Sequence, residues 1–507
     1  MKVIPTTAII GLDALGVGVE ADMGFGKPAF YVVGLPDAAV QEARERVRSA
    51  LKSIGNAIGR PRVTVNLAPA DLRKGGSGYD LPIAIALMSR NNDLLEPKDN
   101  WPVLVGELAL NGDLRPVHGA LSSAMYAVEH ESKAIILPDE NAKEAALVHG
   151  VTVYPAKTLR DVVDHLRGEK LIEAHETIEF EGVLEDAMAL DFASVRGQEQ
   201  TKRALEIAAA GGHNVLLTGP PGSGKTMLAR AFPGIMPRLT RDEALEVTRI
   251  HSVAGVLPRD GICKLRPFRT PHHTASGAAL VGGGTIPKPG EISLAHRGVL
   301  FLDEFPEFSR QVLENLRQPL EDGMVSVSRA QGTVTYPARF TLIAAMNPCP
   351  CGYFGDPERA CSCAPQQVIR YAKRVSGPLM DRIDLKVSVP RVPTEHLMQI
   401  SSGESSKIIR ARVQAARDRQ VSRQGTTGVT TNAELSSEQV RKSFKQSDEA
   451  KKLMRQATDK FHLSARSYFR VLRVAITIAD LASSESIEAN HVAESLQYRQ
   501  QDSSEGY

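Results

Sequence analysis

One segment near the middle of the chain constrains the fold more than any other. A short apolar run ends at Thr218, a glycine-rich loop follows it, and residues 226–231 have the composition of a helix. The loop and its continuation read Gly219, Pro220, Pro221, Gly222, Ser223, Gly224, Lys225, Thr226 and Met227. Glycines let backbone N–H groups converge on phosphate oxygens, and the N-terminus of the following helix adds partial positive charge. The segment predicts a nucleotide site in an α/β domain, with Lys225 on the β- and γ-phosphates of ATP and the Thr226 hydroxyl on Mg²⁺.

A second motif places two acids directly after an apolar strand. Residues 299–302 are four consecutive apolar residues, typical of a strand buried on both faces of a parallel sheet. Asp303 and Glu304 follow, and ligands bind outside the carboxyl ends of such strands. We therefore expect Asp303 to hold Mg²⁺ and Glu304 to position and polarise the water that attacks the γ-phosphate.

Together these motifs resemble the AAA+ family of ring-forming ATPases. That resemblance assigns Asn347, which ends the apolar run 340–346, to the sensor that orients the water or contacts the γ-phosphate. Within the segment 376–384, it assigns Arg382 to the arginine that reaches the γ-phosphate of a neighbouring subunit. An ion pair of Arg382 with a nearby aspartate, Asp381 or Asp384, is the alternative.

A third arginine belongs to the helix-biased C-terminal part of the chain. Arg466 resembles the second sensor of the AAA+ lid, which also contacts the γ-phosphate. Arg470 lies four residues further on and Arg473 three residues beyond that, so they share roughly the same helical face and could serve instead.

Several longer sequence segments make the resemblance more specific. They resemble the ComM/YifB family, whose members are relatives of the ATPase subunit of magnesium chelatase. The marks of this resemblance are Asn66–Lys74, Gly76–Asp80, Arg269–Thr274, Gly282–Gly284 and Asn347–Gly352. The resemblance covers nearly the whole chain and implies a hexameric homo-oligomer that uses ATP to drive branch migration of DNA. It also implies the setting, which is recombination of incoming single strands during natural transformation.

Two features bear on the predicted single-stranded or branched DNA partner. Residues 325–336 alternate on both sides of a glycine-containing turn and predict a β-hairpin, with Arg329 and Gln331 near its tip as candidate contacts to the DNA backbone. Between residues 407 and 473 there are sixteen Lys or Arg against six Asp or Glu, whereas the whole chain has a net charge of only +2. Such a cluster suits phosphate backbones. A structural hairpin and a solvated helical surface are the alternatives.

The length of 507 residues predicts several domains, because it exceeds what one hydrophobic core usually serves. We expect an α/β chain with a ribosomal-S5/Lon-protease-like domain at 1–170 and a linker at 171–191. We also expect a central AAA+ P-loop NTPase domain at 192–395, which has a parallel sheet and β-hairpin inserts. A helical lid follows at 396–507.

The N-terminal domain raises the alternative of a Ser–Lys protease. Residues 74–78 and 106–112 resemble the proteolytic domain of Lon, but the serine position of that resemblance falls on Gly78, one past Ser77. The base lysine would fall near Leu121, where no lysine stands. A serine nucleophile needs a base within hydrogen-bond reach, so proteolysis is the weakest alternative and a chelatase-like protein remodeller is the stronger one.

Four of the five cysteines lie close together in the loop 349–363. Cys349, Cys351, Cys361 and Cys363 could supply a tetrahedral, structural Zn²⁺ site, although the C-x-C spacing is tighter than usual. Four reduced cysteines in a loop are the alternative.

The predicted compartment is the cytoplasm, because the N-terminus has no secretory signal and no apolar run is long enough to span a membrane. We expect no small-molecule substrate besides ATP, since nothing in the chain offers a porphyrin site.

Overall fold

The computed structural model describes residues 2–59, 61–91, 100–180, 190–258, 260–284, 287–329, 332–392, 403–425 and 429–499. These ranges form an N-terminal α/β region, a central region on a five-stranded parallel sheet, and a C-terminal helical region. The predicted α/β class is thereby confirmed. Within the same ranges, no helix is both long and apolar enough to cross a membrane.

The N-terminal region contains two sheets and five helices within the described residues. Its strands are β1 (Ile4–Ile10), β2 (Asp13–Gly24), β3 (Ala29–Val33), β4 (Arg62–Ala68), β5 (Val103–Leu104), β6 (Glu107–Leu108), β7 (Leu114–Arg115), β8 (Ala134–Pro138) and β9 (Thr152–Ala156). Its helices are α1 (Ala38–Ser53), α2 (Asp80–Arg90), α3 (Ala120–Glu129), α4 (Ala142–Ala145) and α5 (Leu159–Arg167). The strand orders are β1-β2-β4-β3 in one sheet and β5-β8-β9 in the other, while β6 and β7 form a hairpin.

Local sequence explains these elements. Val63, Val65 and Leu67 of β4 are buried while the residues between them are partly exposed, which is the period of a strand that packs one face on a core. Helix α1 begins after Asp37, whose side chain accepts the backbone N–H of Val40 at 2.9 Å.

The central region is built on the order β11-β14-β17-β10-β18, in which all neighbours are parallel. Its strands are β10 (Val215–Thr218), β11 (Phe268–Arg269), β12 (Gly282–Gly283), β13 (Lys288–Pro289), β14 (Val299–Leu302), β15 (Met324–Arg329), β16 (Gly332–Pro337), β17 (Thr341–Met346) and β18 (Leu385–Ser388). Its helices are α6 (Glu199–Gly211), α7 (Lys225–Ala231), α8 (Arg241–Ala254), α9 (Gly277–Val281), α10 (Glu291–Leu294), α11 (Arg310–Glu314), α12 (Arg317–Asp322), α13 (Pro365–Ala372) and α14 (Gly377–Met380).

The middle strands of this sheet are buried on both faces. Every residue of β14 and β17 is buried, which is why both read as continuous apolar runs rather than alternating ones. Two antiparallel pairs, β12 with β13 and β15 with β16, are added to the parallel sheet. The second pair confirms the hairpin predicted just before the strand that leads to Asn347.

The C-terminal region is mainly helical. It contains α15 (Ser406–Gln424), α16 (Ser437–Ser443), β19 (Lys445–Gln446), α17 (Asp448–Phe461), α18 (Ala465–Leu481), β20 (Ser486–Ile487) and α19 (Ala489–Gln497). Arg417 of α15 is buried and donates to the carbonyls of Ala209 and Ala210 at the end of α6, at 3.0 and 3.2 Å. These bonds satisfy helix-terminal carbonyls and hold the helical region against the central one.

The N-terminal region contacts the central region through helix α8. The Arg249 guanidinium donates at 2.9 Å to the carbonyl of Leu12, in the turn between β1 and β2, and at 2.7 Å to Asp13, the first residue of β2. The backbone N–H of Gly119 donates to the Ser252 hydroxyl at 3.0 Å. The same turn lies against β16, since a Cβ built on Gly11 would come within 2.5 Å of the Val334 side chain.

Candidate nucleotide site

The glycine-rich loop joins the carboxyl end of β10 to the first residue of α7. Gly222 and Gly224 have φ values of +78° and +91°, a conformation that residues with a Cβ rarely adopt. A Cβ on Gly219 would lie 2.1 Å from the Val389 carbonyl oxygen, so the backbone passes too close for any side chain. The loop therefore has the shape that its glycines predict, with α7 beginning at Lys225.

The Lys225 ammonium lies within this loop. It donates to the carbonyls of Gly219 and Pro220 at 2.7 and 2.9 Å and to the side-chain oxygen of Asn347 at 3.3 Å. Burial lowers the pKa of Lys225 to about 8, against the opposing charge of Asp303. The structure thus brings together the predicted phosphate lysine and the predicted sensor asparagine.

Thr226 and Asp303 meet at the same edge of the sheet. The Thr226 hydroxyl donates to the Asp303 carboxylate at 2.8 Å, and the other Asp303 oxygen accepts the backbone N–H of Glu304 at 2.9 Å. A hydroxyl and a carboxylate side by side are the oxygen ligands that Mg²⁺ takes in nucleotide sites. The residues present therefore fit the predicted magnesium site.

Glu304 has a partner that the sequence analysis did not assign. Its carboxylate is 3.1 Å from Nδ1 of His273, and the His273 ring lies 4.2 Å from that of His272. The Glu304 backbone has a φ of +51°, which is uncommon for a residue other than glycine. Two histidines after β11, a strand that pairs with β14, were the available signal, because the carboxyl ends of neighbouring parallel strands lie together.

The remaining residues predicted to bind nucleotide are placed around the loop. Pro221 and Met227 are exposed, whereas the Ser223 side chain is buried and its hydroxyl has no hydrogen-bond partner among the described residues. Pro221 also contacts Gly352 of the cysteine-rich loop, where a Cβ would come within 2.6 Å of the proline ring. The cysteine-rich loop therefore borders the nucleotide loop.

Arg382 and Arg466 lie at the opposite edge of the sheet. They line a cavity of about 700 Å³ together with residues that precede the strands, namely Asn214, Gly298 and Phe340. Both guanidinium groups bind the carboxylate of Glu321, which no sequence pattern indicated. The structure therefore separates these two arginines from Lys225 of the same chain by the length of the sheet.

The local partners considered for Arg382 do not bind it. Asp384 instead accepts the backbone N–H of Asn214 at 3.0 Å and lies 3.7 Å from both His213 and Arg470. Burial alone would raise the pKa of Asp384, but the His213 imidazole and the Arg470 guanidinium lower it to about 2. Arg470 thus forms an ion pair with Asp384, while Arg473 lines the same cavity further along α18.

The four loop cysteines converge. Their sulfur atoms lie within 4.8 Å of one another, with Cys349 at 3.3 Å from Cys351 and 3.6 Å from Cys361. Tetrahedral Zn–S bonds of about 2.3 Å require sulfurs roughly 3.8 Å apart, so the residues present fit a zinc ion. Backbone N–H groups of Tyr353 and Ser362 lower the pKa of the Cys351 thiol, whereas burial and the neighbouring thiols raise the pKa of Cys361 and Cys363.

The other predicted residues take no part in these clusters. Arg329 is the last residue of β15, and Gln331 lies outside the described residues. In the N-terminal region the Ser77 hydroxyl bonds to Glu107, and the buried Lys74 ammonium bonds to the Pro69 carbonyl. Among the described residues, the hydrogen-bond partner of Ser77 is therefore a carboxylate and not a lysine.

The parts of the chain that match known protein families correspond to its N-terminal, central and C-terminal regions. Three family models match, described as magnesium chelatase, subunit ChlI, at residues 191–397, subunit ChlI of Mg-chelatase at 19–141, and the C-terminal part of magnesium chelatase subunit ChlI at 403–499. The chain is 45% identical over 501 residues to the uncharacterized protein YifB of Escherichia coli, covering 98% of this chain and 97% of the relative. It is likewise 45% identical over 502 residues to the competence protein ComM of Haemophilus influenzae, with the same coverage. The 38 kDa subunit of magnesium chelatase from Cereibacter sphaeroides is 27% identical over 174 residues, 31% of this chain and 52% of the relative.

Proposed function

The chain belongs to the ComM/YifB family of magnesium-chelatase-like AAA+ proteins, and on this premise we propose that it is an ATP-driven, ring-shaped DNA motor. The proposed work is branch migration of DNA during recombination of incoming strands in natural transformation. The observation that carries the ATPase part is the cluster at the carboxyl edge of the sheet, where Thr226 bonds to Asp303 and Lys225 bonds to Asn347.

We propose the following roles in hydrolysis. The Lys225 ammonium would exchange its loop carbonyls for the β- and γ-phosphates, and Thr226 and Asp303 would hold Mg²⁺, which would neutralise phosphate charge. Glu304 positions and polarises the attacking water, and the Asn347 amide orients it against the γ-phosphate. His273 is close enough to fix the orientation of Glu304 through its 3.1 Å contact.

The positions of the two arginines support a ring. Arg382 and Arg466 are at the edge of the sheet opposite to Lys225, so we propose that both act on the nucleotide of a neighbouring subunit. An arginine supplied from a second subunit stabilises charge that develops on the transferred phosphoryl group. Each active site then consists of parts of two chains. Head-to-tail contacts of this kind close into a ring, which we propose to be a hexamer.

Three observations support DNA as the substrate of the motor. One relative is named a competence protein. Arg329 is the last residue of strand β15 in the hairpin β15–β16. The C-terminal region between residues 407 and 473 has ten more basic than acidic residues, which suits contacts with phosphate backbones.

The cysteine cluster is proposed as a structural zinc site. Four sulfurs fill a tetrahedral coordination sphere and leave no position for a substrate. Through the contact of Gly352 with Pro221, the ion would brace the loop that follows Asn347 against the nucleotide loop.

A chelatase-like protein remodeller is the second candidate function. It is favoured by the similarity to the 38 kDa magnesium-chelatase subunit, which spans part of the chain. The same ATP site would serve either function, so the substrate of the motor decides between them.

A strand-displacement assay tests the DNA motor. A labelled three-stranded DNA with a movable branch is incubated with protein, ATP and Mg²⁺, beside the Glu304→Gln variant and the Arg329→Ala variant. We expect ATP-dependent strand release by the parent, none by Glu304→Gln, and reduced release by Arg329→Ala at unchanged nucleotide affinity. ATP hydrolysis without any strand release, combined with hydrolysis stimulated by a protein client, would favour the remodeller.

A further inference from the structure

One carboxylate joins three segments that are far apart in the chain. Glu321 is in the last turn of α12, Arg382 follows α14, and Arg466 is in the first turn of α18. Both arginines place a terminal guanidinium nitrogen on Glu321, each on a different carboxylate oxygen. Arg382 is also fixed by a 2.7 Å bond to the Pro378 carbonyl. Glu321 therefore shares its charge between the two arginines proposed to serve the neighbouring nucleotide.

Helix α12 leads directly into the hairpin proposed to contact DNA. The helix ends at Gly323, which has a φ of +66°, and β15 begins at the next residue. The backbone N–H of Ala338, just after β16, donates to the Gly323 carbonyl at 2.8 Å, so both strands of the hairpin are tied to the end of the helix. A shift of Glu321 would thus move the base of β15 and β16 together.

The two arginines have an alternative to Glu321. Arginine binds phosphate and carboxylate with the same fork of N–H groups, and a triphosphate carries more negative charge than one carboxylate. Glu321 and Arg466 are each nearly half exposed, at 46% and 47%, so their contact can break without uncovering a buried charge. Arg382 is only 8% exposed, so it leaves Glu321 only when the phosphate takes the place of the carboxylate. Burial alone would raise the pKa of Glu321, but the two guanidinium groups lower it, so the carboxylate is charged while it holds them.

We propose that Glu321 is a positioning residue that couples the nucleotide between subunits to the hairpin β15–β16. It holds Arg382 and Arg466 when the neighbouring site has no γ-phosphate, and it loses them when a γ-phosphate arrives. The end of α12 is then released, and the base of the hairpin loosens. The inference rests on the proposed function, in that the two arginines act on the neighbour's phosphate.

Hydrogen exchange of the full-length protein tests the coupling without DNA. In the parent, backbone exchange of residues 324–329 and 332–337 should be slow with ADP and several-fold faster with a non-hydrolysable ATP analogue. In Glu321→Gln it should be fast with either nucleotide. Asp322→Asn is the matched control, because Asp322 has the same charge on the same helix and makes no ion pair with any described residue. It should respond as the parent does.

A second variant breaks the same contact from the other side. Arg466→Ala removes the more exposed arginine and should speed exchange of the two strands in the absence of nucleotide. Thermal melting of each variant shows whether the fold is retained. Exchange in β10 and β17 should stay unchanged, because the effect is local to the hairpin. Hairpin exchange in Glu321→Gln that still rises from ADP to the ATP analogue as in the parent would overturn the proposal.

ATP dependence gives an independent readout. Because Glu321 competes with phosphate for the two arginines, Glu321→Gln should lower the ATP concentration for half-maximal hydrolysis by about three- to tenfold. A higher half-maximal concentration with slower turnover would instead make Glu321 a simple support of the arginines and overturn the coupling. If DNA fails to stimulate the parent enzyme, the proposed DNA motor fails, but the exchange and ATP-dependence results still decide the role of Glu321.

Discussion

Two inactive variants are expected to restore each other's activity within one ring. Lys225 lies at the carboxyl edge of the sheet and Arg382 at the amino edge. The strand between these edges, β10, has four residues, and its span together with the flanking residues is roughly 15 Å at about 3.3 Å per residue. We therefore expect the two side chains to act on the γ-phosphates of different nucleotide sites. Lys225→Ala should abolish nucleotide binding, and Arg382→Ala should lower turnover by about 10³-fold or more.

The expected recovery follows from counting interfaces. In a ring assembled at random from equal amounts of the two variants, an interface is intact when one subunit keeps Lys225 and its neighbour keeps Arg382. Each condition holds in about half of the cases, so about one quarter of the sites should turn over at the parental rate. A mixture of the parent with the double variant should also retain about one quarter, whereas sites confined to single chains would retain about one half.

Steady-state phosphate release measures this recovery. The two variants carry different affinity tags, and tandem purification isolates the rings that contain both. Each variant alone serves as the baseline. Mixed rings that hydrolyse ATP no faster than either variant alone would refute the assignment of Lys225 and Arg382 to neighbouring subunits.

Three further predictions concern single sites. The Lys225 ammonium loses its proton as the pH rises through its lowered pKa of about 8, so affinity for a non-hydrolysable ATP analogue should fall by up to about tenfold between pH 7 and 9; Lys225→Arg should bind independently of pH over this range, and calorimetry that finds an unchanged parental affinity would contradict the shift. The purified protein should contain about one zinc ion per chain by elemental analysis, and Cys361→Ser should lose it and melt at a lower temperature; metal-free protein with the parental melting temperature would argue against a structural ion. Arg249→Ala removes the bonds to the Leu12 carbonyl and should weaken the contact between the N-terminal and central regions by about 1–2 kcal/mol, seen as faster limited proteolysis between them; cleavage at the rate of the exposed control Arg230→Ala would contradict this.

The nucleotide loop could be predicted because its pattern is local. Glycines with positive φ, a strand before them and a helix after them are properties of neighbouring residues, and the structure has each of them. The approach of Asp303 to Thr226 could be predicted as well, because both follow parallel strands of one sheet. The four cysteines also converge, although their C-x-C spacing is tighter than is usual for a zinc site.

The arginine cluster could not be predicted in the same way. Arg382 and Glu321 are 61 residues apart, and Arg466 and Glu321 are 145 apart, so no helical or strand period relates them. Their meeting depends on where the C-terminal helices pack, which is decided by non-local contacts such as that of Arg417 with the end of α6. For the same reason the aspartates next to Arg382 in sequence were the wrong partners to consider.

The proposed DNA motor requires that ATP hydrolysis by this chain is coupled to DNA. The most direct measurement is the ATPase rate with and without single-stranded and forked DNA, at stated salt concentrations because phosphate contacts weaken with salt. Glu304→Gln is measured in parallel. We expect DNA to stimulate hydrolysis several-fold, with the stimulation lost in Glu304→Gln and weaker at higher salt. A hydrolysis rate indifferent to every DNA tested would contradict it.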